Sequence, residues 1–289
     1  MKTYLFLLLA CSLVFPVGAQ TPGAHDCLPE HTFTPGIEGP GTDKAGNVYA
    51  VNYAREGTVG ILRPDGTHEI YVELPEGSTG NGIRFDAKGN MYIADYTGHN
   101  ILKVHPRTRA VTVHAHEPRM NQPNDIAMAP DGTIYASDPN WKDHTGQLWM
   151  ISPKGKVTCL EEGMGTTNGI EVSPDGKKLY VGESAQRRIW VYDRAKDGTL
   201  SGKRLFATFL DYGLDGMRCD VKGNVYLARY DKGTVVVFDP EGNELYEVRL
   251  KGRQPSNLTF AGPDRRRVFV TMADRGCFEY FDAEFPGRE

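Results

Sequence analysis

The chain of 289 residues has no Cys-x-x-Cys pair, and its eight histidines show no zinc-ligand spacing, so thiol-redox and zinc-ribbon classes are excluded. Helical periodicity is absent throughout, which argues against a mixed α/β domain, the alternative architecture for this length. After the N-terminus there is no long apolar run, so no later segment is fit to insert in a membrane as a helix. Net charge is also scarce. Thirty-three Lys and Arg stand against 37 Asp and Glu, and the balance of −4 is spread along the chain, leaving neither a nucleic-acid nor an anionic-membrane footprint.

The first residues do carry a signal. Lys2, the apolar run LFLLLACSLVF, Pro16 and the small residues Val17-Gly18-Ala19 read as a secretory signal over 1–19, cut after Ala19. The mature chain, 20–289, is then expected as a single domain exported to the periplasm or beyond the cell. A lipoprotein reading of LLAC at Cys11 would leave a very short signal. Cys27, Cys159, Cys219 and Cys277 remain after cleavage, in a compartment that permits disulfides.

Internal repetition organises the rest. EGPGTDKAGNVYAVNY from Glu38, NGIRFDAKGNMYIADY from Asn81, NDIAMAPDGTIYASDP from Asn124, NGIEVSPDGKKLYVGES from Asn168, DGMRCDVKGNVYLARY from Asp215 and NLTFAGPDRRRVFVTMAD from Asn257 align, with steps of 43, 43, 44, 47 and 42 residues. That is the length of a four-stranded propeller blade, and each unit reads as a strand, a Lys-Gly or Asp-Gly turn, an aromatic-rich strand and two further alternating runs. The expected fold is an all-β, six-bladed β-propeller. The last unit ends before its fourth strand, so the segment Asp26–Thr34 is expected to close the ring as the outer strand of the final blade. Cys27 would then lie beside the strand carrying Cys277, within reach of a disulfide if the register agrees. Cys159 and Cys219 fall in other blades and are expected as buried thiols outside any bridge.

Asp215-Gly216 on its own reads as a turn. Its equivalents change that reading, because the six residues that open the blades are Glu38, Asn81, Asn124, Asn168, Asp215 and Asn257, all with a side-chain carbonyl or carboxylate oxygen. Inner strands start at one rim of a propeller tunnel, so these oxygens form a ring on the axis. Two acids and several amides suit a hard divalent cation, calcium before zinc. Alternatively, the amides hydrogen-bond between blades and keep a polar tunnel satisfied.

With EGP at Glu38, PND at 123–125, SDP at 137–139, NGIEVSPDG at Asn168, DGMRCD at Asp215 and SNLTFAGPD from Ser256, the chain resembles the senescence marker protein, gluconolactonase and luciferin-regenerating enzyme family of six-bladed propellers. The resemblance covers essentially the whole mature chain. It implies one divalent metal, usually calcium, with zinc, magnesium or manganese as alternatives, held by Glu38, Asn124, Asn168 and Asp215. It implies hydrolysis of a small-molecule lactone, sugar lactones especially, or a related ester. Asp215 is the implied catalytic residue, as base, as nucleophile or as a ligand that orients water; Asn81 and Asn257 become supporting or substrate-facing groups. Two departures stand out: Thr42 and Gln122 occupy positions where many gluconolactonases carry tryptophan and arginine, so the metal set carries over while the sugar contact does not.

The rim loop SDPNWKDHTG over 137–146 is the longest, with Trp141 as an apolar wall and Asp138 or His144 as polar contacts to substrate. Asp125 is expected to hold a ligand amide in place, while Arg187, Arg229 and Arg275 are expected as solvated charge. The competing functions are a non-catalytic binding propeller with a structural metal, an organophosphate-type hydrolase, and a lyase sharing only the repeat architecture.

Overall fold

The computed structural model of the protein describes residues 23–288, and the expected export signal over 1–19, Cys11 included, lies outside the described residues. Six antiparallel four-stranded sheets form the six blades, and no helix occurs among the described residues. The innermost strands are Phe33–Thr42, Gly80–Phe85, Ile126–Met128, Thr167–Val172, Met217–Cys219 and Pro255–Ala261. The tight turns expected after them are present: Asp220 accepts from the main chain of Lys222 and Asn224, and Gly223 takes φ 87° at a position where a β-carbon would be strained.

Alternating strands leave apolar side chains on both faces, so each pair of neighbouring blades shares a core. Tyr226, Val235 and Val237 pack on Leu258, Phe260 and Val270 between the fifth and sixth blades, and Tyr49, Val51 and Val59 pack on Ile83 and Ile93 between the first and second. Burying one such side chain contributes on the order of 1.5–3 kcal/mol, and the ring closes because every blade needs both neighbours for this.

Closure occurs where expected, though with a shorter strand. His25–Asp26 pairs with Cys277–Asp282, His25 opposite Tyr280 and Asp26 opposite Glu279. Cys27 adds one bond to the Phe278 carbonyl at 3.1 Å, after which Pro29 has no N–H to give, and Phe33 already belongs to the first blade's inner strand. The register does not agree with the expected disulfide. Cys27 comes opposite Phe278, one step from Cys277, and both cysteines are free thiols. Arg275, expected as solvated charge, instead pins the closure by pairing with Asp26, Glu30 and Glu279 at 2.6–2.8 Å.

The tunnel is plugged by charge. Arg84 and Arg218, each 1% exposed, face Glu171 at 3.7 and 3.9 Å, and the C-terminal segment brings Arg288 to Glu171 at 2.5 Å. Isolated buried charges are costly, so this set persists only as a set.

Two outcomes test this description. Glu171→Gln should destabilise the protein by about 3–5 kcal/mol in chemical denaturation, because three guanidiniums lose a shared carboxylate. Burial pushes the Cys27 thiol up to about 11 and the Cys277 thiol up to about 12, so both stay protonated below that range. Native alkylation at pH 8 should therefore run roughly 100-fold slower than in denaturant, and the mass of the unreduced protein should not change on adding reductant.

Candidate active site

The six blade-opening residues meet at one tunnel mouth because the strands that carry them start at the same level. Asn124 and Asp215 lie just before their inner strands, yet the ladder continues through them: Asn124 N donates to Ser137 O at 2.8 Å and Asp215 N to Ala228 O at 3.0 Å. Irregular register at Glu38, around Asn81 and around Asn168 marks bulges in the same place. The glycines that follow are not turn residues. Gly216 N crosses to Ser256 O of the next blade at 2.8 Å, and a β-carbon on Gly216 would lie 1.9 Å from Asn257 Cγ; one on Gly169 would lie 2.1 Å from Asp215 O. Glycine is there so that neighbouring blades can touch at the ring.

Within the ring the two acids are neighbours. Asp215 lies against Glu38 and the Asn168 amide, and Glu38 lies against the Asn257 amide. Both carboxyls are half-buried by exposed surface, but the protein encloses them deeply enough that burial, followed by carboxylate repulsion, raises both above the usual range. For Glu38 the repelling charge is Asp125, and for Asp215 it is Glu38. Asn168 Nδ2 donates to Ser184 Oγ at 3.0 Å, and Ser184 in turn donates to Leu214 O beside Asp215. That fixes the Asn168 amide with its oxygen otherwise engaged by nothing: Asn124 Oδ1 and Asn168 Oδ1 are buried and have no hydrogen-bond partner.

Two repelling carboxylates and two partnerless amide oxygens fit a hard divalent cation with oxygen ligands. Among the described residues no group of three or more His, Cys, Asp or Glu side chains could hold an ion, so a cation here must draw on the amides.

Asp125 does hold an amide, but that of Asn257 (3.2 Å) and not of its neighbour Asn124. It also accepts from Arg84 at 3.2 Å and Arg218 at 3.4 Å, which links the ring to the charges below. Asn81 is buried in the ring at 8% exposure. The rim loop is shorter than expected, because Ile134–Asn140 and Thr145–Ile151 are strands, and Asp138 is no substrate contact. It is 1% exposed and accepts from Asn121 N, Gln122 N and Trp149 Nε1, tying down the segment before Asn124. Trp141 is 39% exposed on the rim, as an apolar wall would be. Arg229 is 1% exposed, 3.7 Å over the Phe209 ring, and donates to Asp211 and Gly213, so it braces the loop leading to Asp215 rather than meeting solvent.

Sequence reasoning missed Ser184 and Tyr230. Burial and the Asp215 carboxylate push the Tyr230 phenol up to about 12, so it keeps its proton beside the acids. The signal for Arg84, Glu171 and Arg218 was visible as a charged residue three places after the ring position in NGIR, NGIE and DGMR, inside otherwise apolar strands.

Gly216→Ala should displace Asn257, costing about 1–3 kcal/mol of stability by denaturant unfolding, whereas Gly66→Ala, in an open turn, should spare the ring.

The model of the SMP-30/Gluconolactonase/LRE-like region matches residues 37–274. The gluconolactonase of Zymomonas mobilis is 29% identical over 242 residues, which take in 74% of this chain and 66% of that protein, so the chain spans less than two thirds of that relative's length. A calcium-binding protein, regucalcin, from Agrobacterium tumefaciens superposes with a TM-score of 0.80 at 24% identity, over 93% of this chain and 98% of that one. A gluconolactonase from Xanthomonas campestris does so at 0.76 and 22%, over 93% and 99%. These two likenesses show the six-bladed fold. With the family model matched across five of the six ring positions' blades and into the sixth, the chain belongs to the SMP-30/gluconolactonase/luciferin-regenerating enzyme-like family.

Proposed function

We propose that the protein is an exported hydrolase that opens a lactone, a sugar lactone or a related ester, at the tunnel mouth with the help of one divalent cation, calcium being the ion its donors suit. The observation that carries this reading is the pairing of the adjacent acids Glu38 and Asp215 with the partnerless oxygens of Asn124 and Asn168. Relatives named gluconolactonase, and a pentonolactonase from Haloferax volcanii that is 29% identical over 153 residues, support the reaction class.

Glu38, Asn124, Asn168 and Asp215 would hold the ion, which when bound supplies a positive centre that draws electron density from the lactone carbonyl. The remaining steps belong to the chain. Asp215 stands at the mouth, where it can orient an attacking water and take one of its protons. The water oxygen bonds to the carbonyl carbon, the ring C–O bond breaks, and the proton held by Asp215 passes to the leaving alkoxide, giving the open hydroxy acid. Asn168 favours the Asp215 carboxylate, while Glu38 beside it favours its protonated form. Tyr230 offers a neutral hydroxyl close by. Trp141 lines the rim, and Gln122 in place of a cation favours substrates whose affinity does not rest on an arginine contact.

Purified mature protein assayed on glucono-lactone and a panel of other lactones should hydrolyse at least one, lose the activity in chelator and regain it with calcium. Asp215→Asn should lower kcat/KM roughly 100-fold or more, and Asn168→Ala should weaken cation binding measured calorimetrically. In thermal unfolding, cation at 100 times its Kd should add about 2.7 kcal/mol of stability. No hydrolysis of any substrate by protein shown to hold its ion would overturn the enzyme reading.

A further inference from the structure

A broad cavity lies away from the ring. It has a volume of about 1040 Å³ and is lined by the turns that follow the inner strands of the first three blades, so it opens on the face opposite the acids. Its lining carries eight Lys and Arg side chains against three Asp, on a chain whose net charge is −4. The three acids are already engaged. Asp43 accepts from Asn47 and Tyr49, Asp86 accepts from Asn90 and Tyr92, and Asp131 pairs with Arg194.

Of the eight cations, Arg63 pairs with Glu69, Arg288 pairs with Glu171 and Lys44 donates to Ala87 O, while the other five make no ion pair among the described residues. Lys88, Arg107 and Arg265 have no ion-pair or hydrogen-bond partner for their side chains among the described residues. Lys103 and Arg109 are held over rings, 5.4 Å from the Tyr92 centroid and 4.6 Å from that of Tyr71, and Arg109 also donates to Tyr71 O at 3.2 Å. Stacking on a ring fixes a guanidinium without neutralising it, which leaves its charge to the cavity.

A concave wall of one sign concentrates field and selects counter-charge. The volume is that of a small-molecule site, not of an extended groove for a polymer. Tyr71 and Phe85, both half-buried, add an apolar wall suited to the ring of a sugar. We propose that this far-face cavity is a binding site for a compact polyanion, a sugar carrying several sulfate or phosphate groups. The site is separate from the ring and does not depend on the reaction assigned there.

Calorimetry with sucrose octasulfate and, separately, with fructose 1,6-bisphosphate tests it on the full mature protein. The expected result is saturable one-to-one binding of at least one probe that weakens as salt rises. The combined substitution Lys88→Glu, Arg107→Glu and Arg265→Glu should weaken it roughly ten-fold or more, with thermal unfolding and lactone hydrolysis unchanged, and Arg107→Glu alone should show a smaller loss. Binding by one probe alone assigns the site to sulfated or to phosphorylated ligands. The proposal is overturned by an absence of saturable binding at low salt, by binding that the triple variant leaves intact, or by duplex DNA binding as tightly as the sugars, which would make this a non-selective basic face.

Discussion

The structure turns on charge confined to a narrow axis. Glu38, Asp215, Asp125 and Glu171 share the tunnel with Arg84, Arg218 and Arg288, and four carboxylates against three guanidiniums leave negative charge in excess at the mouth, where Glu38 and Asp215 touch. The guanidiniums pair with Asp125 and Glu171, so the carboxyls outside these ion pairs are the two at the mouth. A low-dielectric interior makes each member depend on the others. The same imbalance raises the pKa of both acids, and it is the feature on which the proposed cation site rests.

Keeping that arrangement requires blades in close contact at the ring. Gly169 and Gly216 let the main chain of one blade approach the side chain of the next, and Gly216 N bonds across to Ser256 O. The Asp215 loop is braced twice, by Arg229 on Asp211 and Gly213 and by Ser184 on Leu214. Asp138 does the same for the segment that carries Asn124. Three buried side chains, Ser184, Asp138 and Arg229, thus act on the site without facing a substrate, which is how short strand ends can hold the ring residues in place.

Much of this was legible in the chain. The 42–47-residue steps and the aromatic-rich second strands pointed to six blades, and the recurrence of Asn, Asp and Glu at one position pointed to the ring. What was not legible concerns partners. Asp138 read as a substrate contact and Arg229 as solvated charge because polar residues near loops usually face outward, but a neighbouring strand or ring buries them. The Cys27–Cys277 bridge failed by a single register step, because His25 and Asp26 pair with Tyr280 and Glu279 and so set Cys27 opposite Phe278, which spacing alone cannot show. Asp125 was placed beside the correct ring but given the wrong amide, since its side chain points across the tunnel to Asn257.

The sequence by itself determined the architecture and the kind of atoms at the tunnel mouth, because strand alternation and repeat length are local properties that each blade states independently. Tertiary structure alone decided which of those atoms meet. Only ring closure brings Glu38 from the first blade against Asp215 from the fifth, and orients two amide oxygens that no local hydrogen bond satisfies. The physical reason is that a charge's partner inside a protein is chosen by distance through space, and the axis places residues 177 positions apart side by side.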